Sequence, residues 1–365
     1  MNTTTHNPNV SVTIFLDPSP VQEAGFGTVM LLVPLAANSL NGARTMTFAN
    51  FEEAQTANTA GYISAATLAS ALAAFSQRPK PTSYKVGYVD LVGGETYVTG
   101  LTAVIAADPD FYGLAISPRT DAEIVAVSDA VEALSKKILF AFQSDDASWL
   151  DAGVPAGLAS IMGSSGNEKT AAIYHTTDTD WNDVALLVNR LVYNPDNISV
   201  PWHGFTVRGI DDLSPVPTAS QRIFVIGNNA NLGLPYGGSD FVNDPGVNAT
   251  GRAIDEILTA DWFATRLQER TAALVVAHGD RGEKIVIDKT GQRKILALIE
   301  GLLDQGVAAG HFVAGQTSAV AETITSTDLD DRNMRFTIRA QLAVSARIFT
   351  FTAYFSRDPI ADDAE

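Results

Sequence analysis

Gly163-Ser164-Ser165-Gly166-Asn167-Glu168-Lys169-Thr170 contains the residue types of a phosphate-binding loop. In such a loop the Lys directly follows the second Gly, so that backbone amides wrap the phosphate while the ammonium reaches it. Here Asn167 and Glu168 intervene, and Glu168 sets an anion where phosphate would sit. A strand is also expected after Thr170, where the motif needs a helix. The segment therefore reads as a turn. Gly25-Phe26-Gly27 follows an expected strand, but Met30 stands where a dinucleotide loop needs its third Gly, with β-branched Val29 before it. It reads as a turn between strands. No G-x-S-x-G nucleophile elbow occurs. The histidines, His6, His175, His203, His278 and His311, are scattered, without a second His or carboxylate at ligand spacing on a helix face. Asp145-Asp146 and Asp178, Asp180 and Asp183 lie near the ends of expected strands, where α/β enzymes bind ligands. Each precedes an expected helix, so N-caps and solvated loops are the better reading. With no cysteine, disulfides and thiolate chemistry are excluded. No residue is assigned to catalysis, to a cofactor or to a metal.

The elements around these residues follow from hydrophobic period. Val10–Leu16 alternates and is β-branched, and Thr28–Leu35 is a second apolar run; both read as strands. Residues 36–62 show no clear period. From Ser64 the pattern alternates. Helices are expected over Ser64–Phe75, Tyr97–Ala107, Asp121–Leu134, Ala147–Met162 and Trp181–Val192. Strands are expected over Tyr84–Leu91, Phe111–Ser117, Ile138–Gln143 and Ala171–His175. This implies βαβ units and a mainly parallel sheet. Residues 194–220 read as a connection, Arg222–Gly227 as a strand and Asn228–Asn248 as a loop. Gly251–Val313 carries two amphipathic helices joined by a polar excursion. Ile254, Ile257, Leu258, Trp262, Phe263, Leu267, Leu274 and Val275 form one apolar stripe, and Ile295, Leu298, Ile299, Leu302 and Leu303 another. Thr290 is expected as the N-cap of the second helix and Gly306 as its stop. Arg335–Leu342 and Arg347–Phe355 alternate as a closing hairpin, before an acidic tail over Asp358–Glu365.

The expected architecture is mixed α/β and α+β. A discontinuous α+β core domain is built from both chain ends, residues 1–44 and 221–365. An α/β domain with a mainly parallel sheet is inserted at 45–220. A chain of 365 residues with 46 % hydrophobic residues can bury a large core. No apolar run approaches the ~20 residues of a membrane-spanning helix, and the polar N-terminus lacks the features of a signal peptide. The formal net charge of −17 argues against a nucleic-acid surface. Residues 221–365 nonetheless hold 14 of the 24 basic residues. Arg281, Lys284, Lys289, Arg293 and Lys294 cluster there against Glu283 and Asp288, as a solvated turn or as a docking patch for an acidic surface.

Five segments, taken in order, resemble one family. They are Glu23-Ala24-Gly25-Phe26-Gly27-Thr28 after the first strand, and Phe75-Ser76-Gln77-Arg78-Pro79-Lys80-Pro81 after an Ala-rich helix. Asn229-Ala230-Asn231 with Tyr236-Gly237-Gly238 follows, then Ile254-Asp255-Glu256-Ile257 with Asp261-Trp262, and last Asp331-Arg332 with Arg335. The chain so resembles the short sheath proteins of contractile bacteriophage tails. The resemblance implies a virion structural protein, not an enzyme, assembled in the host cytoplasm. It implies stacked six-membered rings of the chain around a tail tube, ended by baseplate and tail terminator proteins, without nucleic acid or membrane. Contraction of such a sheath drives the tube through the host envelope. Terminal segments would add strands to sheets in neighbouring subunits. Val10, Val12 and Ile14 at one end, and Ile348, Phe349 and Phe351 at the other, are the linker residues on this reading. The basic cluster at Arg281, Lys284, Lys289, Arg293 and Lys294 would face the tube. The alternatives are an α/β nucleotide- or ligand-binding enzyme using the 84–192 sheet, or another self-assembling tail component.

Overall fold

A computed structural model describes residues 25–35, 43–151, 158–236 and 239–346. In chain order the elements are β1 (Val29–Pro34), β2 (Thr45–Phe48), α1 (Phe51–Thr59), α2 (Ala65–Ser76), β3 (Tyr84–Val89), α3 (Tyr97–Ala107), β4 (Gly113–Ile116), α4 (Asp121–Ala133) and β5 (Leu139–Ser144). A 3-10 turn at Ala147–Leu150 precedes α5 (Leu158–Ser165), β6 (Thr170–Tyr174), α6 (Asn182–Leu191), β7 (Phe205–Thr206), α7 (Ala219–Gly227), β8 (Ala230–Tyr236) and β9 (Ser239–Asp244). The chain continues through α8 (Ile254–Gly279), α9 (Lys289–Ala309), β10 (Phe312–Ala321), α10 (Ser326–Asp330) and β11 (Phe336–Leu342).

One sheet has nine strands in the order β2-β3-β1-β4-β5-β6-β8-β9-β7. The six from β3 to β8 are parallel, and β2, β9 and β7 are antiparallel at its flanks. Strands β3, β4, β5 and β6 are buried at every position, as parallel strands covered on both faces must be. The sheet reaches past the expected 45–220 limits in both directions. β1, from the N-terminal stretch, runs between β3 and β4, and β8 with β9 come from beyond residue 220.

Several expectations are corrected. Arg222–Gly227 is helical, because Thr218 and Gln221 form a capping box that starts the turn despite the β-branched residues after it. Asn228–Asn248 holds the hairpin β8–β9 instead of a loop. The signal is Asn231, which looked like a loop residue but is buried: its Nδ2 donates to Ala172 O and Val247 O while Oδ1 accepts from the amides of Gly246 and Val247. Residues 36–62 contain β2 and α1, the latter capped by Asn50. The continuous helix expected over Ala147–Met162 is a 3-10 turn followed by α5. β10 was not expected. The linker residues Val10, Val12, Ile14, Ile348, Phe349 and Phe351 lie outside the described residues.

Candidate assembly surface

Helices α8 and α9 form an antiparallel pair beneath the starts of the parallel strands. Three contacts fix this position: Tyr112, just before β4, donates to Asp261 Oδ2 at 3.0 Å; Lys137, just before β5, lies 3.5 Å from Asp261 Oδ1; Glu168, just before β6, meets Arg252 at 3.1 Å. Burial raises the Asp261 carboxyl above its usual range, against the pull of Lys137, and it pushes the Tyr112 phenol well up.

A second junction is stronger. Asp196, in the connection after α6, accepts from Arg266 Nε at 2.8 Å and Trp262 Nε1 at 2.8 Å on one oxygen, and from Arg266 Nη2 at 2.8 Å on the other. Glu269 takes Arg266 Nη1 at 2.6 Å. Burial works to raise the Asp196 carboxyl, but the hydrogen bonds from Arg266 and Trp262 outweigh it and hold the group below its usual range. Above this junction His311 stacks on Trp262 at 4.4 Å. Its ring bridges Thr259 Oγ1 and Pro195 O, each at 2.7 Å, and burial lowers its pKa. The Asp261-Trp262 pair noted in the sequence is thus the place where α8 is fastened to the sheet.

The ends of α9 differ from expectation. Its N-cap is Asp288, which accepts from the amides of Thr290 and Gly291 at 2.8 Å, and Thr290 lies inside the helix. The helix passes Gly306 and ends at Gly310, which sits at φ 82°. Gly306 is needed for space: a Cβ there would lie 2.5 Å from Phe312 Cδ2.

The five basic residues lie at one end of this pair, and all are exposed. Arg281 and Lys284 are on the α8–α9 turn; Lys289, Arg293 and Lys294 are on the start of α9. Arg281 Nε donates to Ala277 O at 2.8 Å, and Lys294 Nζ approaches His278 Nε2 at 2.9 Å, which ties the two helix ends together.

At the same side of the pair, β10 and β11 form a two-stranded antiparallel sheet of their own. A two-stranded sheet is marginal in water, and this one leans on the helices through Phe312, Phe336, Ile338 and Leu342. Between β11 and α8 runs a groove of about 2630 Å³. Its walls include Phe263, Leu267 and Val275 from α8 and nearly the whole length of β11. Among the described residues the outer edge of β11 has no strand partner. Charged side chains, among them Lys136, Glu256, Arg335 and Arg339, share the lining, and an open-edged trough of this kind is suited to receiving an extended segment by main-chain pairing.

Several of the places that first suggested chemistry make structural contacts. Lys169 Nζ donates to the carbonyls of Val131, Glu132 and Leu134, closing the end of α4. Asp146 caps the 3-10 turn through Ser148 N, and Asp183 is buried against Arg119. His175 is held by Thr177 and Asp211 carbonyls. Among the described residues there is no group of His, Asp and Glu able to hold a metal ion, and no helix long and apolar enough to cross a membrane.

No protein-family model matches the sequence, and no curated protein resembles it at a significant level. Solved structures do. The helical sheath of the anti-feeding prophage in its contracted state superposes with a TM-score of 0.64 at 12 % identity, covering 95 % of this chain and 99 % of that one. A contracted sheath complex of the extracellular contractile injection system PVC gives 0.62 at 12 % identity, over 98 % and 99 %. The sheath tail protein of Listeria innocua gives 0.58 at 10 % identity, over 92 % and 96 %. The chain has the sheath fold. The likeness spans nearly the full length of these sheath proteins and 92–98 % of this chain.

Proposed function

We propose that this chain is the structural subunit of a contractile tail sheath. It polymerises as stacked six-membered rings around a tail tube, in a phage particle put together in the host cytoplasm, and its contraction drives the tube through the host envelope. The observation that carries this reading is the likeness to sheath subunits over nearly the whole chain. The open β11 edge beside the trough supports it, because strand addition links subunits through backbone bonds that survive a change of subunit angle. The role is structural, and the energy of contraction is stored at assembly in a metastable extended state. Its partners are further copies of itself, the tail tube protein, and baseplate and terminator proteins at the ends. Val10, Val12 and Ile14, with Ile348, Phe349 and Phe351, supply the linking strands. Arg281, Lys284, Lys289, Arg293 and Lys294 face the tube through contacts weak enough to break on firing.

Negative-stain images of the purified chain test the core of this reading: rings or tubes are expected, and only small monodisperse particles under every condition would overturn it. Removing residues 1–9 is expected to stop long tubes from forming; normal tubes would remove the N-terminal linker assignment. The triple change Lys289→Glu, Arg293→Glu and Lys294→Glu is expected to abolish extended sheaths on the tube. Extended sheaths with unchanged salt sensitivity would remove the tube-facing assignment.

A further inference from the structure

We propose that His278 is a proton-operated latch on the basic tip of the helix pair, which holds Lys294 while neutral and frees it for an acidic partner surface when protonated. The proposal rests on the tube-facing reading of that tip and adds how its grip is set.

The partners of the ring fix its hydrogen-bond roles. His278 lies in the last turn of α8 and is 6 % exposed. Its Nδ1 is 2.9 Å from Leu274 O, and its Nε2 is 2.9 Å from Lys294 Nζ. A carbonyl oxygen only accepts, so Nδ1 carries the hydrogen. An ammonium only donates, so Nε2 is bare and accepts. The folded arrangement is that of a neutral imidazole, with the Lys294 ammonium bound to it from α9.

A second proton on the ring changes this contact outright. It would set two donors and two positive charges against each other at 2.9 Å, with no acceptor between them. Protonated His278 and latched Lys294 therefore exclude one another. The buried histidines of the body are placed differently. His175 faces the carbonyls of Thr177 and Asp211, and His311 bridges Thr259 Oγ1 and Pro195 O. Neither has a cation for its partner.

The charges around the ring decide where each group goes. On the turn after α8, Glu283 Oε2 lies 3.8 Å from His278 Nε2. Asp280 is exposed on the same turn, Arg281 donates back to Ala277 O, and Lys284 lines the trough with His278. At the start of α9, Asp288 is occupied as the cap, and Lys289 and Arg293 flank Lys294. From the hairpin, Glu322 O accepts from Gln292 Nε2 at 2.7 Å, and the Glu322 carboxylate lies 3.7 Å from Arg335. Glu283 is thus the carboxylate in reach of an imidazolium. Protonation draws Glu283 onto Nε2 and turns Lys294 out to solvent beside Arg281, Lys284, Lys289 and Arg293. The cluster gains a free ammonium and loses the opposition of Glu283. Both changes favour an acidic surface, so the tip grips more firmly in acid and less firmly in alkali.

The test is binding of the full chain to dextran sulfate at low salt, on either side of the ordinary histidine value of about 6.5. Sulfate esters keep their charge throughout, so a change in binding comes from the protein. The native chain is expected to bind about threefold more tightly on the acid side, the gain of one or two exposed ion contacts. His278→Gln keeps an acceptor for Lys294 but takes no proton, and is expected to lose this gain. Reductive methylation read by mass spectrometry follows the latch in the native chain, without a variant. Lys294 is expected to react faster relative to Lys289 on the acid side. A gain as large in His278→Gln as in the native chain overturns the proposal. So does a ratio of Lys294 to Lys289 methylation that does not change with pH. Either result, with rings and tubes still forming, leaves the sheath reading standing. A working latch in a chain whose sheaths hold the tube with the same salt sensitivity on both sides of that pH removes the tube-facing assignment instead.

Discussion

Asp196→Asn tests the junction between the helix pair and the nine-stranded sheet. The substitution keeps the size of the side chain and removes its charge. Arg266 is 3 % exposed, and its guanidinium bonds both oxygens of Asp196 at 2.8 Å. Breaking one partner of a buried pair typically costs 3–5 kcal/mol. The remaining bond from Arg266 to Glu269 at 2.6 Å lowers the expected loss to about 3 kcal/mol, the bottom of that range. The pH dependence has a definite sign. The Asp196 carboxyl is held below its unfolded value, so its contribution is complete above the ordinary carboxylate range, about pH 4, and is lost as pH falls through the folded value. The gap between native and variant chains should therefore be full at neutral pH and should narrow in strong acid. Urea unfolding followed by tryptophan emission is the assay, with Trp262 inside the network as reporter. Arg266→Met and the double variant complete a cycle, with a coupling of about 2 kcal/mol expected for groups in direct contact. A loss below 1 kcal/mol at neutral pH, or a gap that widens in acid, would refute the claim that this pair fastens the two layers.

His311 is kept neutral by burial. A histidine with a lowered folded pKa destabilises the fold as pH drops below the unfolded value of about 6.5, so His311→Gln should flatten the stability profile just below that pH in thermal melts. Gly306→Val should lower stability by about 1–3 kcal/mol through overpacking, because its Cβ would lie 2.5 Å from Phe312 Cδ2 and 3.3 Å from Trp262 Cζ3; an unchanged melting temperature would show that Phe312 can move aside freely. Asp288→Ala removes the cap of α9 and should cost about 1 kcal/mol, measured by urea midpoint, whereas Thr290→Ala should cost well under half of that.

What could be read from the sequence depended on the range of the interaction. Period-2 and period-3.6 patterns are local, so β1, β3 to β6, α2 to α4, α6, α8 and α9 were legible within a few residues. The resemblance to sheath proteins rested on five short segments, and the likeness of fold extends over the whole chain. The misreadings came where distant partners decide. Asn231 sits in an Asn- and Gly-rich stretch that looks like a loop, yet its bonds to the carbonyls of Ala172 and Val247 and from the amides of Gly246 and Val247 make it part of a buried sheet. α7 is the exception, because its deciding signal is local: it is written in strand-forming residues, and the capping box of Thr218 with Gln221 overrides them. Gly306 looks like a helix stop; only the ring of Phe312, brought in by the return of the chain, explains why that position has no side chain. The assembly surface divides in the same way. The basic cluster at 281–294 is visible as a list of charges in an acidic chain. That it lies at the end of a trough bordered by the open edge of β11 is a consequence of tertiary packing, because Gln292 and Glu322 are neighbours only once α9 and β10 have folded against each other.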